Sequence, residues 1–149
     1  MRANYIEEIK TWTEEFKFHA DVSVRFSETD MYGHLNNTKV FAYFEYARIE
    51  YFKSLNRMEK WTGPQGDTIP VVADLQCDFV KQVFFDEQLK IYVKANSIGK
   101  SSVDLHYMAK NERDVVVFTG RGAMVQIDRK TGKPVPWTKE EHQLFMENN

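Results

Sequence analysis

The sequence predicts an α+β fold in which one antiparallel sheet of five strands wraps around a long central helix. Three observations predict it. Residues 38–55 carry apolar side chains at helical spacing, with no Pro or Gly among them. Five other segments alternate apolar and polar residues with a period of two, as half-buried strands do. The joints between the later strands are short enough for hairpins.

The chain of 149 residues is sized for one core, and it is read as one domain over 1–149. Apolar residues make up 42%, which excludes general disorder. The net charge of −2 gives no bulk attraction to nucleic acid, so no nucleic-acid partner is expected. The lone Cys77 rules out an intrachain disulfide and a multi-cysteine zinc site. His19, His34, His106 and His142 are scattered without ligand spacing, so neither metal nor cofactor is expected. Glu7, Glu8, Glu14 and Glu15 interrupt the N-terminal segment where a signal peptide needs an apolar run. No stretch reaches the length of a membrane span. A cytoplasmic protein is the resulting expectation.

Tyr5, Ile6, Ile9, Trp12 and Phe16 have helical spacing and predict an N-terminal helical extension over 1–16. Phe16 to Phe26 alternates and predicts the first strand. Over 38–55, Val40, Phe41, Phe44, Ala47, Tyr51, Phe52 and Leu55 share one wide face, while Tyr43, Tyr46 and Ile49 lie toward the other. Arg48 falls inside the apolar stripe and needs a partner, for which Glu45 is nearest in sequence. Residues 56–69, with Gly63, Pro64, Gly66 and Asp67, read as a loop. Alternation returns over 73–79, 89–96 and 103–110, and Val115 to Ile127 gives the fifth strand. Gly120 and Gly122 share one face of that strand, which points to a bulge or a close approach by another element. Thr138 and Glu141 form a capping-box pattern for a C-terminal helix over 138–147. The uncovered outer face and edges of such a sheet favour self-association.

Candidate chemistry lies between the first strand and the helix, in Ser27-Glu28-Thr29-Asp30-Met31-Tyr32-Gly33-His34-Leu35-Asn36-Asn37. Asp30 sits just before a helix start, Gly33 permits a bend, and Asn36, Asn37 and Thr38 are good N-cap types. A carboxylate facing free helix N–H groups beside an apolar channel suits thioester hydrolysis. The donors hold a developing oxyanion, and the carboxylate activates water or attacks the carbonyl itself. On spacing alone, a turn that simply caps the helix is the more ordinary role for Asp30 and the asparagines.

The full pattern is more specific. Arg25-Phe26-x3-Asp30-x2-Gly33-His34-x-Asn36-Asn37, followed by Tyr43-Phe44-Glu45-Tyr46-Ala47-Arg48, resembles the acyl-CoA thioesterases of the 4-hydroxybenzoyl-CoA thioesterase family. The motif covers about 22–55, and the strand order extends the resemblance to about 128. It implies a hotdog fold and the cleavage of acyl-CoA to a carboxylic acid and free CoA. It also implies a homodimer or homotetramer with active sites at the subunit interface. By position, Asp30 matches the catalytic aspartate, and Asn37 lies where a backbone N–H meets the thioester carbonyl. Glu45 and Arg48 match a structural pair. One branch has His and Tyr at the positions of Asn37 and Val40, and this chain departs from it. The Asp-Met-x-x-His-x-Asn-Asn string also looks like the acyl-carrier-protein thioesterases, which makes His34 either a catalytic partner or a neutral hydrogen-bonder that fixes the loop. Tyr32 and Gly33 are candidate substrate contacts. Lys81, Lys100, Ser101, Ser102 and Arg121 are candidates for the CoA phosphates, against the ordinary reading of surface charge. Cys77 alternates with core residues and reads as a small buried side chain. An acyl-carrier-protein thioesterase and a non-catalytic acyl-CoA sensor remain as alternatives.

Overall fold

The computed structural model describes residues 3–149. The first two residues of the expected 1–16 extension lie outside the described residues. In chain order the elements are α1 (Ile9–Glu14), β1 (Phe18–Ser23), α2 (Val40–Ser54), α3 (Met58–Thr62), β2 (Thr68–Val72), β3 (Gln76–Phe79), β4 (Gln88–Ile98), β5 (Ser102–Lys110), β6 (Val116–Asp128) and α4 (Lys139–Glu147). The sheet is antiparallel in the order β1-β4-β5-β6-β2, with β3 also pairing β6. It curls around α2.

The strand count exceeds the expected five because one edge strand is interrupted. β2 and β3 both run along β6, and Ala73, Asp74 and Leu75 break the ladder between them. At this break Asp74 Oδ1 accepts the Ala123 N–H at 2.8 Å, so a side chain replaces the ladder partner. β2 begins inside the segment expected to be loop, and α3 lies there too. β4, β5 and β6 are joined by hairpins, whereas β1 and β2 return to opposite edges of the sheet.

The core forms between α2 and the concave face of the sheet. Val40, Phe44, Ala47, Tyr51 and Phe52 are buried there. The Phe44 ring stacks on Tyr107 at 4.4 Å between centroids and meets Phe118 edge-on at 5.8 Å. A Cβ on Gly120 would lie 2.4 Å from the Phe44 ring, so the missing side chain is what lets the helix settle on β6. The stripe differs from expectation at two residues. Phe41 is partly exposed on the flank, and Tyr43 is buried. Buried Arg48 donates to the Tyr107 hydroxyl at 3.2 Å, while exposed Glu45 lies farther away at 3.9 Å.

The outer face of the sheet is not bare, contrary to the sequence reading. Tyr5, Trp12 and Phe16 pack over Met108 and Tyr92. Trp12 Nε1 donates to Nδ1 of buried His106 at 2.8 Å. His106 in turn contacts Asp104, which binds Arg121 together with Asp74. The expected capping box of α4 is present, with Thr138 accepting from the Glu141 N–H and Glu141 accepting from the Thr138 N–H. No helix among the described residues is long and apolar enough to cross a membrane.

Candidate active site

The segment after β1 turns back on itself before α2 begins. The Asp30 N–H donates to the His34 carbonyl at 2.8 Å, and the Asn36 N–H donates to the Glu28 carbonyl at 2.7 Å. Gly33 makes the bend with φ of +79°, a conformation that side chains with a Cβ resist. The Asp30 Oδ1 accepts the N–H groups of Tyr32 at 2.9 Å and His34 at 3.2 Å. Among the described residues, Oδ2 has no hydrogen-bond partner. Asp30 therefore does form a turn, as the ordinary reading held, but only one of its oxygens is used for it.

Asn36 is the N-cap. Its side chain accepts the Thr38 N–H at 3.0 Å and starts a 3-10 turn, Asn37–Lys39, that leads into α2. The Asn37 N–H donates to no acceptor among the described residues. An unsatisfied N–H at the start of a helical run is a ready donor for a developing negative charge.

Asp30, His34, Asn37 and Lys81 line one cavity of about 300 Å³. Its floor is formed by Val40, Val83 and Phe118, all buried. Exposed Phe79, Val80 and Gln82 stand at its margin. The site loop is tied to the segment between β3 and β4, with the Leu35 N–H donating to the Val83 carbonyl and the His34 ring edge-on to Phe84 at 5.1 Å. Sequence reading missed Phe79, Val80, Gln82 and Val83. Their signal is weak, because Phe79 ends β3 and Lys81 and Gln82 interrupt the apolar residues that follow it.

The other candidates fall elsewhere. Tyr32 and Gly33 are exposed on the bend and outside the cavity lining. Lys81 stands at the margin without an ion-pair partner among the described residues. Lys100 and Ser101 occupy the β4–β5 turn, and Ser102 begins β5. Ser102 pairs with Val125, whereas the cavity reaches β6 at Phe118, so these residues lie roughly 20 Å along the strand from the cavity in the same chain. Arg121 is held by Asp74 and Asp104 and is not a free cation for a phosphate. Burial pushes the Cys77 thiol up to about 12, so it is un-ionised at neutral pH and is no nucleophile. Among the described residues, no group of three or more His, Cys, Asp or Glu is placed to hold a metal ion.

The model of the thioesterase-like superfamily matches residues 24–145, a span that contains the cavity and the strands that carry it. The chain belongs to the thioesterase-like superfamily. It is 47% identical over 135 residues to the Bacillus subtilis (strain 168) protein YsmA, covering 91% of this chain and 89% of that one. A thioesterase from Thermus thermophilus, complexed with coenzyme A and Zn, matches with a TM-score of 0.74 at 25% identity, over 90% of this chain and 95% of its own. The DHNA-CoA thioesterase from Staphylococcus aureus matches with a TM-score of 0.75 at 24% identity, over 87% and 88% of the two chains. That last likeness bears on fold alone. The architecture is the hotdog fold, and membership of the superfamily supports thioester hydrolysis.

Proposed function

We propose that this chain hydrolyses acyl-CoA thioesters to a carboxylic acid and free CoA. One observation carries the reading: a carboxylate with one fixed and one unpartnered oxygen shares a cavity with the start of the central helix. Asp30 takes a proton from water as the water oxygen bonds to the thioester carbon, or attacks that carbon itself to form an acyl–Asp30 anhydride, which water hydrolyses to the free acid after the thiolate has left. The carbonyl oxygen gains negative charge, which the Asn37 N–H and the helix start stabilise. The C–S bond then breaks and the thiolate leaves, taking up a proton. His34, whose backbone carbonyl accepts the Asp30 N–H and whose N–H donates to Asp30 Oδ1, orients the carboxylate.

The floor of Val40, Val83 and Phe118 limits the depth of the cavity, and its volume is at the small end for ligand sites. A compact acyl group, short or aromatic, fits best. Lys81 at the margin meets an anionic part of CoA. Exposed Phe26, Met31, Tyr32, Phe84 and Phe85 surround the site loop, and a second copy of the chain would bury them. A homodimer or homotetramer of this kind brings Lys100, Ser101 and Ser102 into use only at a neighbouring chain's site.

A panel of acyl-CoAs and acyl-carrier-protein thioesters, assayed for free thiol, tests the reading. Release from compact acyl-CoAs is expected. Faster release from the carrier protein would replace CoA with that carrier. Binding of acyl-CoA without any thiol release would make the chain a sensor instead.

A further inference from the structure

We propose that Glu28 and Tyr43 are a positioning pair that sets the Asp30 carboxylate against the Asn37 N–H, an inference that rests on the proposed hydrolysis. Asp30 and Asn37 belong to two arms of one small hairpin. Glu28 to Asp30 forms the first arm and His34 to Asn36 the second, cross-bonded through Asp30 N–H to His34 O and Asn36 N–H to Glu28 O. Asn37 follows the second arm directly. The tip of this hairpin is open to solvent, with Met31 at 89% and Tyr32 at 74% exposure. Little apolar burial holds the tip in place, so its stability against local opening comes from its hydrogen bonds.

Among the described residues, one side-chain bond joins the first arm to the rigid part of the fold. The Tyr43 hydroxyl donates to Glu28 Oε1 at 2.8 Å, and the same oxygen accepts the Arg25 N–H at 2.9 Å. Tyr43 stands within the first turns of α2 and is 4% exposed, so its ring is fixed by the core. Burial, reinforced by the Glu28 carboxylate, pushes the Tyr43 hydroxyl above its ordinary range and keeps it a donor at neutral pH. Glu28 thus uses its side chain to hold the helix and its carbonyl to hold Asn36, next to the proposed oxyanion donor. The two functional groups are registered through one residue that lies outside the cavity lining.

The test separates positioning from folding. Tyr43→Phe removes the hydroxyl and keeps the ring, and it is expected to lower kcat about tenfold, since small misplacements of reacting groups cost that much or more. KM is expected to change by less than about twofold, because binding contacts are untouched. Glu28→Ala is expected to match Tyr43→Phe, and Glu28→Gln, which keeps an acceptor oxygen, to recover most of the loss. Wild-type kcat in Tyr43→Phe would overturn the proposal, as would equal damage in Glu28→Gln and Glu28→Ala. A kcat loss that disappears on correction for folded fraction would also overturn it. Hydrogen exchange supplies a readout independent of activity: the Asn36 amide should exchange about tenfold faster in Tyr43→Phe. Should the wild type release no thiol from any substrate, the hydrolase reading fails. An unchanged Asn36 exchange rate would then reject the clasp separately.

Discussion

Replacing Gly120 by alanine tests the packing that fixes the central helix. The new Cβ would lie 2.4 and 2.5 Å from two atoms of the Phe44 ring and 2.7 Å from the Gln76 carbonyl oxygen. Neither neighbour yields easily. The ring is fully buried between Tyr107 and Phe118, and the carbonyl belongs to the β3–β6 pair. Overpacking of this kind costs about 1–3 kcal/mol. In a chain of this size, each kcal/mol moves Tm by about 2–4 °C, so a fall of roughly 2–12 °C is expected. The assay is thermal unfolding followed by circular dichroism, with Gly132→Ala as a reference whose Cβ would meet no neighbour within 4 Å but whose φ of +72° still costs backbone strain. Phe44→Leu in the Gly120→Ala background should relieve part of the clash, so the double variant should be more stable than the two single effects added together. A Tm for Gly120→Ala within a degree of wild type would refute the reasoning, and strict additivity would refute the assignment to Phe44.

Two further predictions concern stability. Burial alone would raise the Asp104 carboxyl, but hydrogen bonds from His106 and Arg121 outweigh it and hold its pKa below the ordinary value; Arg121 and the Ala123 N–H lower Asp74 in the same way. A depressed folded pKa gives stability that is present above the unfolded value, about 3.9, and is lost as pH falls through the folded one. Wild-type Tm should therefore drop more steeply below about pH 4 than that of Asp74→Asn, and parallel curves would contradict this. Tyr107→Phe leaves buried Arg48 without its hydroxyl acceptor and should cost about 1–3 kcal/mol in urea unfolding; no change would show that Glu45 alone satisfies the guanidinium.

The elements that were legible in the sequence are those written in local periodicity. The helix over 40–54, the strands over 88–98, 102–110 and 116–128, and the Thr138–Glu141 box each follow from spacings within one segment. The paired glycines announced a close approach, although Phe44 as the approaching group did not follow from them. Contacts between distant segments were not legible. Arg48 pairs with Glu45 at 3.9 Å, as the spacing suggested, but its hydrogen bond to Tyr107 on β5 did not follow from the sequence, and Trp12 finds His106 across 94 residues. α3 escaped notice because it is short and ends at glycine, where propensity argues for loop. In the site, Asp30 and the helix start could be read from the motif, as could the bend at Gly33, which lies outside the cavity lining. The cavity walls at Phe79 to Val83 could not, because they are brought to the site by a contact distant in sequence, the Leu35 N–H donating to the Val83 carbonyl.

The central claim is that Asp30 does chemistry and does not merely shape a turn. Asp30→Asn separates the two roles, because the asparagine Oδ1 can still accept the Tyr32 and His34 N–H groups while the charge is lost. Thiol release from the best acyl-CoA substrate, measured beside circular dichroism and Tm, is the decisive comparison. The variant should keep its fold and lose activity by about 100-fold or more. Turnover at the wild-type rate by a folded Asp30→Asn protein would contradict the account and return Asp30 to a capping role.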